Sequence, residues 1–275
     1  MEPEPGPGRR LLCFGAHPDD CEIKSSGLAA LWTGAGGRAR FVALTDGSAG
    51  HHELAGEPLV RRRRAEAAAG ARAAGADSVI LDNADGMLMP TLENRLKVIR
   101  EIRLFRPDVI VCPRTNDYHP DHRYTGVLVQ DACYLLKVPN VLPLVPVSDR
   151  DPVVLFMDDR FTKPEPLRPD VVLDIGPVIE AKLAAVRAHE SQVLEWLPWI
   201  GGYADKMPAD KPGRQAYADQ RIADAARETA DRYRDALVTR YGPEAGQAAG
   251  HAEAYEVSEY AAPLTAQAAA EFFPF

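Results

Sequence analysis

No apolar stretch in this chain approaches the roughly 20 residues that a membrane-spanning helix demands, so no span is expected. Cysteine is scarce. Its four occurrences, Cys13, Cys21, Cys112 and Cys133, show no CxxC spacing and no disulfide framework, so a reduced, cytoplasmic protein is the expectation. The first apolar run is not followed by a GxGxxG phosphate cradle, which counts against a dinucleotide-binding loop. Basic charge is in deficit: 32 Lys and Arg against 40 Asp and Glu leave a formal charge of −8. That balance suits solubility and argues against a nucleic-acid backbone as partner. Residues 1–9 are rich in Pro, Gly and Glu and lack the apolar core of a signal peptide, so a frayed tail is expected there. Internal repeats and low-complexity segments are absent.

What is present is an alternation of short apolar runs and helical patterns over a chain of 275 residues, long enough for a sizeable core. Leu11–Ala16 reads as a buried strand, and Glu22–Gly34, with Ile23, Leu28, Leu31 and Trp32 at helical spacing, reads as a helix. Further strands are expected at Arg38–Thr45, Ser78–Leu81, Asp108–Cys112, Val153–Met157 and Asp170–Ile175. Helices are expected at Pro58–Ala74, Leu92–Phe105, Asp121–Leu136, from Pro177 to about Leu197, and over Lys211–Tyr241. Such alternation implies βαβ units and a Rossmann-like α/β fold, a mostly parallel sheet flanked by helices. The main domain is expected over residues 10–197, with 198–275 as a mostly helical C-terminal extension packed on it. The apolar end, Phe272-Phe273-Pro274-Phe275, is expected to dock on the body or on a second subunit, so a homo-oligomer is compatible.

Two polar corners carry the chemistry. His17-Pro18-Asp19-Asp20 follows the first strand, and His119-Pro120-Asp121-His122 follows the fourth. In the commoner doubly wound order these strands are neighbours and the strand order reverses between them, which is where ligands bind. Two imidazoles and one carboxylate can hold a hydrolytic zinc, leaving a position for water. A second carboxylate is then needed as base and a donor for the oxyanion. The residue types do not decide whether Asp19 or Asp20 is the ligand. Asp19-x-x-Glu22 also matches a helix capping pattern.

The sequence resembles the LmbE/PIG-L-like zinc de-N-acetylases. The likeness runs through Gly15–Glu22, Thr45-Asp46-Gly47, Arg63-Arg64-Ala65-Glu66, Asp85-Gly86, Arg106-Pro107-Asp108, His119–His122, Lys182 and His189–Gln192, in the family's order. It implies one Zn²⁺ per chain, other divalent metals being admissible, and removal of acetyl from an N-acetylglucosamine-type small-molecule substrate. It makes His17, Asp20 and His122 the metal ligands and Asp19 the general base. His119 would stabilise the oxyanion, with Asp121 behind it, and Arg63 and Asp85 would hold substrate. Lys24 and Ser26 stand where relatives have glycines; Lys24, if turned inward, would favour an anionic substrate. Two other functions fit the same residues: an Fe(II) facial-triad oxygenase, or a catalytically silent Rossmann-like binding protein. Trp196 and Trp199 could wall a sugar site, though packing is the plainer use.

Overall fold

A computed structural model describes residues 8–275. Arg10–Gly15 forms strand β1, and all six residues are buried, as in a strand covered on both faces. Helix α1 (Asp20–Gly34), strand β2 (Arg38–Thr45), helix α2 (Gly56–Ala73) and strand β3 (Ala76–Asn83) follow. Next come α3 (Leu92–Phe105), β4 (Val109–Cys112), α4 (Pro120–Leu135), β5 (Val153–Met157) and β6 (Val171–Asp174). The remainder comprises α5 (Ile179–Arg187), α6 (Leu197–Ile200), α7 (Lys211–Arg232), α8 (Arg234–Tyr241), α9 (Pro243–Ala248), β7 (Ala252–Ala261) and α10 (Ala266–Phe272).

The seven strands form one sheet in the order β3-β2-β1-β4-β5-β7-β6. β1 is parallel to both neighbours, with Leu12 facing Arg40 of β2 on one side and Ile110 of β4 on the other. The chain winds outward from β1 to β3 and then returns to the opposite side of β1 for β4. The strand order therefore reverses between β1 and β4, and both polar corners leave the sheet at that point. Alternate residues of these strands serve two apolar layers. Leu11, Cys13, Val109 and Val111 pack with Trp32 and Tyr255, while Leu12, Phe14, Ile110 and Cys112 pack with Val98, Ile99 and Leu128. All four cysteines are buried and free.

Three details differ from the sequence expectation. The C-terminal residues are helical for the most part, yet they also return β7 to the sheet, antiparallel to both β5 and β6. The helix expected from Pro177 is interrupted. A 3₁₀ turn at Gly176–Val178 leads into α5, and a π-helical stretch over Ser191–Trp196 precedes α6. There Glu66 of α2 accepts the Ser191 N–H at 2.9 Å, a donor that a regular helix would have used internally. The expected frayed tail lies, for its first seven residues, outside the described span. Arg9 is held: its carbonyl accepts from Arg38 N at 2.8 Å and Trp32 Nε1 at 3.1 Å. The apolar C-terminal end docks on the body, with the Phe273 ring centroid 6.0 Å from that of Trp32. No helix among the described residues is long and apolar enough to cross a membrane.

Candidate metal centre

The first corner is a tight turn. Asp20 Oδ2 accepts the backbone N–H groups of Ala16 at 2.8 Å and His17 at 2.9 Å, which locks its carboxylate under the end of β1. Asp19 occupies the N-cap position of α1 but makes no capping hydrogen bond, so the capping pattern read from the sequence is not used. At the second corner His119 is the N-cap of α4, its Nδ1 accepting the Asp121 N–H at 3.2 Å. With Nδ1 as acceptor, the neutral ring carries its proton on Nε2 and presents a donor there.

Strand order brings the corners together. His17 Nδ1 lies 3.2 Å from His122 Nε2, His17 Nδ1 lies 3.5 Å from Asp20 Oδ2, and His122 Nε2 lies 3.3 Å from the same oxygen. Ligand atoms around a tetrahedral zinc with bonds near 2.0–2.1 Å stand about 3.3–3.4 Å apart, so this triangle fits such an ion. His119 is close by, its ring centroid 4.7 Å from that of His17, and the nitrogens of His17, His119 and His122 also form a candidate ligand set.

A second tier of carboxylates holds the outer nitrogens. Asp85 Oδ1 is 3.2 Å and Asp121 Oδ2 3.5 Å from His17 Nε2, and Asp117 Oδ2 is 3.2 Å from His122 Nδ1. Carboxylates in these positions fix the ring orientation and raise the basicity of a ligating imidazole. Asp121 is fully buried and also accepts from Gly86 N at 2.7 Å and Leu88 N at 3.2 Å. Its carboxylate is therefore turned toward His17; its contact with His119 runs through its own backbone N–H.

The electrostatics follow. Burial works against a charged His17, but Asp121, Asp20 and Asp85 overcome it and hold the imidazolium well above its ordinary range. Burial likewise opposes charge on His122, and Asp20 and Asp117 still push it up to about 10. Burial would raise the Asp20 carboxyl, yet His122 and His17 hold it well below the usual range. His119 is lowered, first by burial and then by its cationic neighbours His17 and His122. The cluster stabilises positive charge at His17 and His122 and keeps His119 neutral.

Arg63 and Asp85, expected to touch substrate, are placed inside the protein. Arg63 is only 2 % exposed. It donates to Asp19 Oδ1 at 3.1 Å, Pro18 O at 3.2 Å and Gly47 O at 3.3 Å, and stands 3.6 Å from Asp85 Oδ2. Asp85 divides its oxygens between His17 and the Ala49 N–H at 3.3 Å. The contacts of both residues run to the first corner, to the Gly47–Ala49 loop and to each other. Close approach of Arg63 depends on glycine: a Cβ on Gly47, where φ is +70°, would meet Arg63 Cδ at 2.8 Å.

Lys24 does not enter this cleft; its Nζ donates to the Asp158 carbonyl at 2.8 Å. Cys21 is no ligand either, its thiol being directed at the Cys13 carbonyl at 3.4 Å. Trp199 stacks with His52, at 5.1 Å, and with Trp196, at 5.3 Å, and remains half exposed. Asp117 was not singled out from the sequence. Its only signal was a position two residues ahead of His119, in a segment with loop composition.

Fold and site together define an α/β protein with a histidine/carboxylate centre at the switch point of its sheet. Residues 12–133 match the family model described as PIG-L, GlcNAc-PI de-N-acetylase. A diacetylchitobiose deacetylase of Thermococcus kodakarensis is 34 % identical over 204 residues, covering 70 % of this chain and 75 % of that protein. The chain belongs to the PIG-L (LmbE-like) GlcNAc-PI de-N-acetylase family. A 4-oxalmesaconate hydratase of Pseudomonas putida is 25 % identical over 198 residues, covering 69 % of this chain and 76 % of that one. Among solved structures, N,N'-diacetylchitobiose deacetylase from Pyrococcus horikoshii superposes with a TM-score of 0.70 at 22 % identity, covering 91 % of this chain and 84 % of that one.

Proposed function

We propose that the chain is a zinc-dependent de-N-acetylase that hydrolyses the acetamide of an N-acetylglucosamine-type sugar or conjugate, releasing acetate and a free amine. The observation that carries this is a ligand triangle paired with a separate, fixed carboxylate. His17 Nδ1, Asp20 Oδ2 and His122 Nε2 stand 3.2–3.5 Å apart, while Asp19 is held through Oδ1 by Arg63. The deacetylase relative that shares 34 % identity supports the same substrate class.

His17, Asp20 and His122 would hold the zinc, which when bound polarises the acetamide carbonyl and lowers the pKa of a water to about 7. Asp19 then acts as the base: Arg63 engages one of its oxygens and leaves Oδ2 to accept the water proton. His119 offers its Nε2–H to the developing oxyanion, and the proton that Asp19 takes from the water would pass from its carboxyl to the leaving amine. Asp121, Asp85 and Asp117 keep the ligand rings oriented. Arg63 and Asp85 thus serve as supports beneath the reacting groups. Four free, buried cysteines support a reducing compartment, the cytoplasm.

The test is acetate release from a panel of N-acetylglucosamine conjugates, diacetylchitobiose among them, with chelator and with added zinc. Release should vanish with chelator and return with zinc, and Asp19→Asn should abolish turnover while the protein keeps its metal. Hydration of an unsaturated dicarboxylate without acetate release, or iron-dependent oxygen consumption, would replace this function with another.

A further inference from the structure

A cavity of about 330 Å³ lies between α1, α5, α7 and β7, and none of the residues of the metal centre lines it. Its volume falls at the lower end of the range for small-molecule sites, roughly 300–1,000 Å³. Ile23, Val186, Val193, Leu197 and Ile222 make an apolar wall. The α7 side stays open because Ala218, Ala225 and Ala226 project only methyl groups.

The charges around this chamber do not cancel. Lys182 and Glu253, both buried, neutralise each other across 2.7 Å. The Asp158 carboxylate is engaged by Arg232 at 3.3 Å and the Tyr233 hydroxyl at 3.0 Å. Lys24 and Arg221 remain, and neither has a carboxylate in ion-pair range among the described residues. Lys24 meets only the Asp158 carbonyl, and Arg221 lies over the Tyr203 ring at 4.2 Å. Arg221 and Thr229, both on the lining, are two helical turns apart, so the chamber extends about 12 Å along α7.

We propose that this cavity is a second binding site, taking an unbranched apolar chain that carries a carboxylate head, with the head against Lys24. An elongated apolar chamber whose lining carries three cations, Lys24, Lys182 and Arg221, against two carboxylates, Asp158 and Glu253, complements that chemistry and disfavours cationic or uncharged ligands of equal length. Lys24 follows the Asp20 ligand by four residues on α1, which puts the two on the same face of the helix one turn apart. The site stands independently of the reaction assigned to the metal centre.

The experiment is titration calorimetry of the full chain with butyrate, hexanoate, octanoate and decanoate, and with octylamine and octanol. One molecule should bind per chain, each added methylene tightening binding about fourfold until the chamber is full. Octanoate should bind at least tenfold more tightly than octylamine or octanol, and Lys24→Met should erase that preference. Ala225 is exposed at the surface yet lines the chamber, so Ala225→Trp should fold normally, with unchanged melting temperature, and lose octanoate binding tenfold or more. Equal affinity for octanoate and octylamine, or undiminished octanoate binding in a folded Ala225→Trp protein, would overturn the proposal.

Discussion

Asp117 shows how much of this cluster is held by side chains outside the proposed ligand triangle. It anchors His122 through Nδ1 and also accepts the His119 N–H at 2.9 Å, tying both histidines of the second corner to one carboxylate. Asp117→Asn keeps the shape and removes the charge, so zinc affinity should fall by about 10–100-fold, read by competition with a chelating dye. An unchanged affinity would mean that His122 is oriented by something else. A different single residue governs stability. Arg103, 2 % exposed, donates to the carbonyls of Leu135, Leu136, Val138, Val141, Leu142 and Val145 and so organises the segment between α4 and β5. Arg103→Met should cost about 3–5 kcal/mol in denaturant unfolding, because it strips charge-assisted bonds from several buried carbonyls at once. At this scale the sequence showed the paired histidines clearly, since each lies in a polar corner between an apolar run and a helical pattern. It concealed the second tier, because an aspartate in a loop looks the same whether it closes a turn or steers an imidazole.

Helix α1 carries Asp20, and its middle is entered by side chains from two other elements. Glu253 of β7 accepts the N–H groups of Gly27 at 3.0 Å and Leu28 at 2.8 Å, while Lys182 and Tyr255 donate to the carbonyls of Ile23 and Lys24. These are the four groups that a regular ladder would pair with one another. Only glycine permits the approach: a Cβ on Gly27 would meet Ile175 Cγ2 at 2.7 Å and Glu253 Oε1 at 2.8 Å. Alanine is the better helix former by about 1 kcal/mol. Overpacking costs about 1–3 kcal/mol and here also displaces a buried carboxylate, so clash should outweigh propensity. Gly27→Ala should therefore lower the unfolding free energy; a gain in stability would show that the helix closes its own ladder once Glu253 is pushed away. Ordinary apolar runs made β1 through β6 legible in the sequence. β7 was not legible, because Ala252-Glu253-Ala254 is helix-forming composition and its inward glutamate breaks the expected alternation. Its strand geometry comes from insertion between β5 and β6, a tertiary contact that no local pattern announces.

Over the whole molecule, the proposed metal would compete with protons for one cluster. Without metal, burial disfavours the charged form of His122, but Asp20 and Asp117 raise it to about 10, and His17 is raised in the same direction by Asp121, Asp20 and Asp85. An unfolded histidine titrates near about 6.5. Because the folded values are higher, the stability these contacts contribute is fully present below about 6.5 and is lost as pH rises through about 10. A divalent ion requires neutral imidazoles, so its binding must expel those protons. The apparent affinity for zinc should then rise with pH, by up to about tenfold per unit for each proton released. Chelated and zinc-loaded protein should accordingly diverge: the melting temperature of the first falls from about pH 7 to pH 9 while the gap to the second widens. Calorimetry at about pH 7 in buffers of different ionisation enthalpy should count about two protons released per zinc from the imidazoles. A count of zero would mean that His17 and His122 are already neutral, and that the carboxylates around them serve to orient the rings rather than to hold a proton in readiness for exchange.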